Sequence, residues 1–328
     1  MPLGQRGVRP ARPLGAMLPR DVSAQKTRLF RVPRGVWAGR AASRKSSFCL
    51  RLVVAVGRVY ITRMQIPIPF VKSKPLVSVV RLQGAIGPQG RGALNDAALA
   101  PVLERAFRRG KPKAVALEIN SPGGSPVQSS LIGARIRRLS EETKVPVFAF
   151  VEDVAASGGY WIASAADEIF ADESSILGSI GVISASFGAQ VFLHRQGIER
   201  RVHTAGKSKS MLDPFRPETE EDVARLNRIL GQLHETFIAQ VKARRGGKLK
   251  NDPDLFTGEI WIGRSAVEVG LADGVAHLVP GMKARYGDKV KFRRYGMKKR
   301  LIPRLGLSLA EEALGLIEER AGYARFGL

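Results

Sequence analysis

The chain has 328 residues, and its 53 Lys or Arg outnumber its 29 Asp or Glu, which gives a formal net charge of +24. A single cysteine, Cys49, excludes an internal disulfide. The sequence contains no zinc or iron ligand spacing and no phosphate-binding G-x-x-x-x-G-K-S/T loop, so we expect no metal, no cofactor and no ATP-driven unfolding by this chain.

The N-terminal segment, residues 1–63, is strongly basic. It holds fourteen Lys or Arg and one acidic residue, Asp21, and so carries more than half of the net charge. Four interpretations compete: a disordered basic arm, an organelle transit peptide, a membrane-surface segment, or translated sequence upstream of the true start. We favour the last, because a product that begins at Met64 contains every motif described below.

The most apolar stretch of the chain, residues 48–68, does not predict a membrane-spanning helix. Such a helix needs about 20 consecutive apolar residues, and Arg51, Arg58 and Arg63 interrupt this stretch. Basic attraction to anionic lipid remains an alternative means of membrane contact. We therefore expect a protein that is cytoplasmic or peripheral to the inner membrane.

Downstream, β-prone apolar runs alternate with helical patterns. This alternation predicts an α/β fold in which helices cover a largely parallel sheet. The predicted strands cover residues 76–82, 115–119, 147–151, 168–171 and 181–184.

Two of these strands end in glycine-rich turns that open helices. The sequence NSPGGS follows the strand at 115–119, and ASGGY, which contains Ser157, follows the strand at 147–151. Because the carboxyl ends of parallel strands share one edge of a sheet, both turns can converge on one crevice. The N–H groups of Gly124 and Gly158 could then bind one carbonyl oxygen beside the nucleophile Ser157. Alternatively, the glycines serve only the left-handed geometry of tight turns.

A nucleophilic serine needs a base, and none of the four histidines lies in an evident catalytic motif. We interpret His194, His203, His234 and His277 as surface residues. A lysine can replace histidine if burial lowers its pKa from about 10.4 toward the working pH. The segment 204–215 offers Lys207 and Lys209, and spacing alone does not choose between them or exclude a solvated basic loop.

Two amphipathic helices are predicted in the second half of the chain. One follows Pro217, carries acidic residues in its first turns and ends at Gly246, and its long apolar stripe predicts packing against the core or another subunit. The other covers residues 307–326 and is expected to pack on a neighbouring subunit, with membrane contact as the alternative. The stripe of the first helix consists of Val223, Leu226, Leu230, Leu233, Phe237 and Val241.

From about residue 77 to residue 275, the chain resembles the signal peptide peptidase A family, serine peptidases of the Clp-protease/crotonase fold with a Ser/Lys dyad. Five motifs carry the resemblance in the family's order. They are NSPGG at 120–124, ASGGY at 156–160, LGSIGV at 177–182, GKSK at 206–209 and GLAD at 270–273.

The resemblance implies a role for each matching residue. Ser157 is the nucleophile and Lys209 is its base, because the family lysine lies three residues after a glycine, which excludes Lys207. Gly124 and Gly158 form the oxyanion hole, with Gly123 beside them. Ser179 holds the lysine by a hydrogen bond.

The implied activity is endopeptidase cleavage through an acyl-enzyme, acting on signal peptides or other short or unfolded peptides. The implied assembly is a homo-oligomeric ring with active sites at subunit contacts. We divide the chain into the basic segment 1–63, a peptidase domain at 64–290, and a basic linker with the C-terminal amphipathic helix at 291–328.

Two other functional classes deserve comparison. A crotonase-like acyl-CoA enzyme would use the same oxyanion turns without a serine nucleophile, but its chemistry needs glutamates at the crevice. A nucleic-acid-binding module would fit the net charge, yet the aromatic residues are few and are not interleaved with the Lys and Arg clusters. We therefore expect no specific nucleic-acid partner.

Overall fold

The computed structural model describes residues 53–55, 58–60, 74–88, 93–206, 208–297 and 320–328. The chain divides into two units, Met1–Pro69 and Phe70–Leu328. In the first unit, strand β1 (Val53–Ala55) pairs antiparallel with strand β2 (Arg58–Tyr60). Most of the basic segment and the expected start at Met64 lie outside the described residues.

The second unit is built on a largely parallel sheet. The strands are β3 (Leu76–Gln83), β4 (Ala114–Ser121), β5 (Val147–Ala156), β6 (Glu168–Ala171), β7 (Ile176–Gly178), β8 (Ile260–Ile262), β9 (Gly274–Val275) and β10 (Lys291–Tyr295). Six of them run in the order β10-β3-β4-β5-β6-β9 with every neighbouring pair parallel, while β7 pairs parallel with β5 and antiparallel with β8.

Helices cover both faces of this sheet. The helices are α1 (Asp96–Arg108), α2 (Pro126–Thr143), α3 (Gly158–Ser164), α4 (Gln190–Arg195), α5 (Glu220–Arg245), α6 (Gly263–Glu268) and α7 (Leu278–Tyr286). Side chains alternate between faces along a strand, so Val77 and Val79 pack under α7 whereas Val80 and Leu82 join the core under α1 and α2. The predicted α/β class is confirmed, and the arrangement fits the Clp-protease/crotonase fold.

Four of the five predicted strands are present, and the fifth is wrong. Residues 181–184 are irregular, and the strand of this region is β7, which ends at Gly178. Gly178 and Ser179 both have positive φ angles, 96° and 49°, so the chain turns out of the sheet immediately after β7. Residues 181–184 then have no strand beside them to pair with among the described residues.

Helix α5 confirms the predicted long helix and shows how unevenly it is packed. The Thr219 side chain accepts a hydrogen bond from the N–H of Asp222 at 3.2 Å and so caps its first turn. Phe237 and Val241 near its C-terminal end are buried, whereas Val223 and Ile229 near its N-terminal end are exposed. The apolar stripe therefore contacts the core of this chain only along its second half.

The C-terminal region also adds to the sheet. Strand β10 lies within the segment 291–328 that we predicted as linker and helix, and it pairs with β3 from Lys291 to Tyr295. A helix was predicted at 307–326. The structure describes the chain again from residue 320 to residue 328, and residues 320–324 are helical. No helix within the described part of the chain combines the length and apolar character that a membrane crossing requires.

Candidate active site

Ser157 occupies the junction between β5 and α3. Its backbone angles, φ 51° and ψ −122°, lie in a region that residues with a side chain rarely adopt. Two backbone hydrogen bonds hold this conformation: the Ser157 N–H donates to the Gly178 carbonyl at 2.9 Å, and the Ser157 carbonyl accepts from the Trp161 N–H at 3.0 Å. The surrounding structure therefore maintains a strained backbone that turns the hydroxyl out of the sheet edge.

The second turn, between β4 and α2, requires glycine. Gly123 and Gly124 have φ angles of 102° and 139°. The Ile86 N–H donates to the Gly123 carbonyl, and the Ser125 N–H donates to the Ile86 carbonyl, both at 2.8 Å. A Cβ on Gly124 would lie 2.0 Å from the Ile86 carbonyl oxygen, so any side chain would push this turn away from its neighbour.

The two turns are in contact, as a shared sheet edge predicts. A Cβ on Gly123 would lie 2.8 Å from both the Gly158 nitrogen and the Ser157 Cβ, and a Cβ on Gly158 would lie 3.4 Å from the Gly124 nitrogen. Among the described residues, the N–H groups of Gly124 and Gly158 have no hydrogen-bond acceptor. Two neighbouring donors beside a serine hydroxyl are the arrangement that stabilises an oxyanion.

Ser179 lies next to Ser157 because of the strand register. In the parallel pairing of β5 with β7, the last residues Ala156 and Gly178 lie opposite each other, so Ser157 and Ser179 are the first residues after the two strands. The Ser179 N–H donates to the Glu259 carbonyl at 2.7 Å, which fixes its backbone. The structure thus brings together four of the predicted site residues and their neighbour Gly123.

These residues border a crevice of about 610 Å³. Ser157, Gly124, Gly158 and Ser179 line it, together with apolar side chains and with His234 and Arg325. No Asp or Glu is among the described residues that line it. The apolar lining residues are Pro122, Pro126, Trp161, Val182, Ile183, Leu233 and Phe237.

Lys209 does not line this crevice. It is exposed, in a turn where its N–H donates to the Gly206 carbonyl at 3.2 Å. It belongs to residues 182–219, which we call the arm and which connect β7 to α5. Lys207 lies outside the described residues. Within one chain, the structure therefore does not bring the predicted base to the predicted nucleophile.

Of the four histidines, His234 departs from its prediction. His194, His203 and His277 are exposed as expected, but His234 is half-buried beside the crevice, and its Nε2 lies 3.0 Å from the Ile180 carbonyl oxygen. The sequence contained a usable signal, since His234 precedes Phe237 by three residues and so borders the apolar stripe of α5.

Two residues of the GLAD motif, Asp273 and Leu271, form hydrogen bonds with the elements around the site. The Asp273 carboxylate accepts hydrogen bonds from Arg245 at 2.7 Å, Lys248 at 2.6 Å and the Ile169 N–H at 2.7 Å. Burial raises the pKa of Asp273, but these hydrogen bonds outweigh that effect and hold the pKa below its usual value. In the same motif the Leu271 carbonyl accepts from the Tyr160 hydroxyl at 2.9 Å, which ties α3 to the core, and burial raises the pKa of Tyr160.

Comparison with known proteins gives a family for this fold and site. A sequence model of peptidase family S49 matches residues 140–279, which include Ser157, Ser179 and Lys209. A relative from Synechocystis sp. that is named as a protease is 31% identical over 197 residues, which are 60% of this chain and 68% of the relative. The chain belongs to peptidase family S49. The resemblance to signal peptide peptidase A is thereby confirmed.

Other relatives of this S49 chain match smaller shares of their own length. A signal peptide peptidase SppA of Enterococcus faecium is 31% identical over 165 residues, which are 50% of this chain and 48% of that protein. A Na⁺/H⁺ antiporter NhaA of Brucella melitensis is 49% identical over 271 residues, 77% of this chain but 37% of that protein. The S49 chain thus spans between about a third and a half of these two relatives, and the antiporter's name describes a much longer protein.

Among solved structures, the membrane-bound stomatin-specific protease 1510-N in complex with a substrate peptide is 15% identical, with 75% of this chain and 98% of that chain covered. The TM-score of 0.43 is too low to add to the fold assignment, which depends on the sheet topology. The crotonase-like alternative is not favoured, because the family is a peptidase family and the described lining of the crevice contains no glutamate.

Proposed function

We propose that this chain is a serine endopeptidase that hydrolyses peptide bonds through an acyl-enzyme on Ser157. The observation that carries the proposal is the meeting of Ser157 with the N–H groups of Gly124 and Gly158 at one crevice. A strained serine at a strand-to-helix junction, beside two N–H donors for which the described part of the chain supplies no acceptor, suits acyl transfer.

In the proposed reaction, the Ser157 Oγ attacks the carbonyl carbon of the scissile peptide bond and its proton passes to the neutral Lys209 Nζ. The Gly124 and Gly158 N–H groups stabilise the oxyanion. The Lys209 ammonium then protonates the leaving amine as the C–N bond breaks. Water attacks the resulting ester, again giving its proton to Lys209, and the acid product leaves as the proton returns to Ser157.

Lys209 has to reach Ser157 for this reaction, and we propose that a homo-oligomeric ring brings it there from a neighbouring copy. Lys209 is exposed in the arm, and the arm also presents Phe187, Phe192 and Ile198 to solvent with 91%, 62% and 54% of their surface exposed. Large apolar side chains exposed together mark contact surfaces. The Ser179 hydroxyl, next to Ser157, would hold the incoming ammonium by a hydrogen bond.

For substrates, we propose signal peptides or other short or unfolded peptides. The crevice lining includes the large apolar side chains of Trp161, Leu233 and Phe237, which favours peptides with apolar side chains. We place the protein in the cytoplasm or at the periphery of the inner membrane. The net charge of +24 supports attraction to anionic lipid.

A fluorophosphonate probe tests the proposal directly, because it reacts with an activated serine hydroxyl. We expect covalent labelling of the full-length chain, with the modified peptide mapped by mass spectrometry to Ser157, and loss of the label in Ser157→Ala. Ser174→Ala is the matched control, since Ser174 lies in an exposed turn away from the crevice. Equal labelling of wild type and Ser157→Ala would refute the role of Ser157.

A further inference from the structure

The C-terminal segment, residues 320–328, returns to the candidate active site. The Tyr323 hydroxyl donates to the Asn120 carbonyl at 2.8 Å, and a Cβ on Gly322 would lie 3.3 Å from the Pro122 side chain. Asn120 lies in β4 just before the turn that carries Gly124, and Pro122 lies in that turn. The last residues of the chain are therefore attached to the backbone that forms one side of the oxyanion hole.

A second contact fixes the segment from the other side. Tyr323 and Phe326 pack against a small core cluster of Val154, Ala156 and Ile176. Ala156 immediately precedes Ser157, and Ile176 lies on the adjacent strand β7. With Tyr323 and Phe326 on either side of it, Arg325 is held at the rim of the crevice, which it lines.

Arg325 places a positive charge at this crevice. No Asp or Glu is among the described lining residues, and within the described part of the chain Arg325 forms no ion pair. Its guanidinium lies 5.9 Å from the centre of the Phe326 ring, at the outer limit of a cation–π contact. A guanidinium is always charged at working pH and offers paired N–H donors that match the two oxygens of a carboxylate.

We propose that Arg325 is a specificity-determining residue that binds a carboxylate of the peptide substrate. This proposal rests on the proposed peptidase function. The carboxylate comes either from an Asp or Glu side chain near the scissile bond or from the C-terminus of a short peptide, since both present the same chemistry. A Lys or Arg at the same place in the peptide is disfavoured by repulsion between like charges.

Two matched peptide pairs measure this preference and separate the two sources. In one pair Glu replaces Gln at successive positions around the cleaved bond, and in the other a free C-terminal acid replaces the amide. The ratio of kcat/KM for acid over amide should be about tenfold or more in the wild type for one pair, as expected for a charge-assisted hydrogen bond. It should fall to about one in Arg325→Gln and invert in Arg325→Glu.

Arg320→Gln is the control variant, because Arg320 is an exposed arginine in the same segment that does not line the crevice. It should keep the wild-type ratio. A ratio near one in the wild type for both pairs, or a ratio that Arg325→Gln leaves unchanged, would overturn the proposal.

A measurement of peptide binding to catalytically inactive variants tests the proposal independently of catalysis. The same labelled peptides are titrated into Ser157→Ala and into Ser157→Ala with Arg325→Gln, and fluorescence anisotropy gives their dissociation constants. We expect the acid peptide to bind about tenfold more weakly after loss of Arg325, with little change for the amide. Failure of the peptidase function would appear as absent Ser157 labelling, whereas failure of the present proposal would appear as equal binding of acid and amide.

Discussion

The sheet edge that carries Ser157 and the arm that carries Lys209 differ in how firmly contacts within one chain hold them in place. At the sheet edge, Ser157 and Ser179 are fixed by strand register and by backbone hydrogen bonds of 2.7 to 3.0 Å. In the arm, helix α4 has no buried residue, and Phe187 is almost fully exposed. A single chain therefore positions the proposed nucleophile and the proposed oxyanion donors but leaves the proposed base exposed to solvent.

The arm nevertheless has contacts of its own. Arg200 donates to the Asp213 carboxylate at 2.9 Å, its guanidinium lies 4.9 Å from the Phe215 ring centre, and the Ala189 N–H donates to the Pro214 carbonyl at 2.6 Å. The backbone N–H of Phe215 and the pairing with Arg200 hold the pKa of Asp213 below its usual value. These contacts join Ala189 and Arg200 to residues 213–215, which follow Lys209 in the sequence.

The largest expected effect comes from removing either member of the proposed dyad. Ser157→Ala and Lys209→Ala should each lower peptide hydrolysis at least ~10³-fold, because the nucleophile and its base act as one unit. Lys207→Ala is the matched control and should retain most of the activity. Initial rates with a fluorogenic peptide measure all three, and an inactive Lys207→Ala beside an active Lys209→Ala would reverse the assignment of the base.

A mixture of two inactive variants tests whether the base comes from a neighbour. In a ring of mixed composition, Ser157→Ala subunits still offer Lys209 to the Ser157 of Lys209→Ala subunits. Random mixing should restore roughly a quarter of the wild-type activity. Half of the subunits keep Ser157, and half of these have the neighbour that keeps Lys209. If the lysine acts within its own chain, the mixture stays inactive after subunit exchange, and the proposed trans arrangement is wrong.

The oxyanion turn is the next most sensitive feature. A methyl group on Gly124 would lie 2.0 Å from the Ile86 carbonyl oxygen, so Gly124→Ala has to displace the turn and its N–H group. Loss of one oxyanion donor costs about 10²- to 10³-fold in kcat. Steady-state kinetics should show this loss in kcat, and an unchanged kcat in Gly124→Ala would exclude the Gly124 N–H from the oxyanion hole.

The ion pair between Arg245 and Asp273 should lose its contribution to folding stability in acid. Arg245 is only 3% exposed and pairs with Asp273, so Asp273→Asn leaves a buried charge without its partner and should lower the free energy of unfolding by about 3 kcal/mol. Because the folded pKa of Asp273 is depressed, its contribution is present above its unfolded pKa of about 3.9 and is lost as the pH falls through the folded value.

Urea unfolding at neutral pH and in a series from pH 5 to pH 2 measures both effects. Wild-type stability should decrease as the solution is acidified through this range, and the difference between wild type and Asp273→Asn should shrink. Asp172→Asn provides the comparison, because the Asp172–His277 pair is exposed and its loss should change the neutral stability little. An Asp273→Asn variant as stable as wild type at neutral pH would contradict this account.

The sequence could predict the features that local patterns determine, but not those that depend on contacts between distant parts of the chain. The turns at Ser157 and Gly124 are local strand-to-helix junctions, so their glycines and the preceding apolar runs were enough to place them at one sheet edge. A strand at 181–184 was predicted from local preference, but it has no described neighbour to pair with. The position of Arg325 depends on contacts of Tyr323 with Asn120, which are far apart in sequence, and no local pattern indicates such contacts.

The smallest expected effect comes from a second glycine-to-alanine substitution, on the exposed half of α5. Unlike Gly124→Ala, this substitution places a methyl group where no neighbouring atom is close. A Cβ on Gly231 would meet no atom within 4 Å, and Gly231 lies off the apolar stripe of the helix. Alanine loses less backbone entropy than glycine when a helix forms, so Gly231→Ala should raise the free energy of unfolding by about 0.5–1 kcal/mol. Thermal unfolding measures this gain, and size-exclusion chromatography should show an unchanged assembly. A destabilised variant with an altered assembly would instead mean that a second copy packs closely over Gly231.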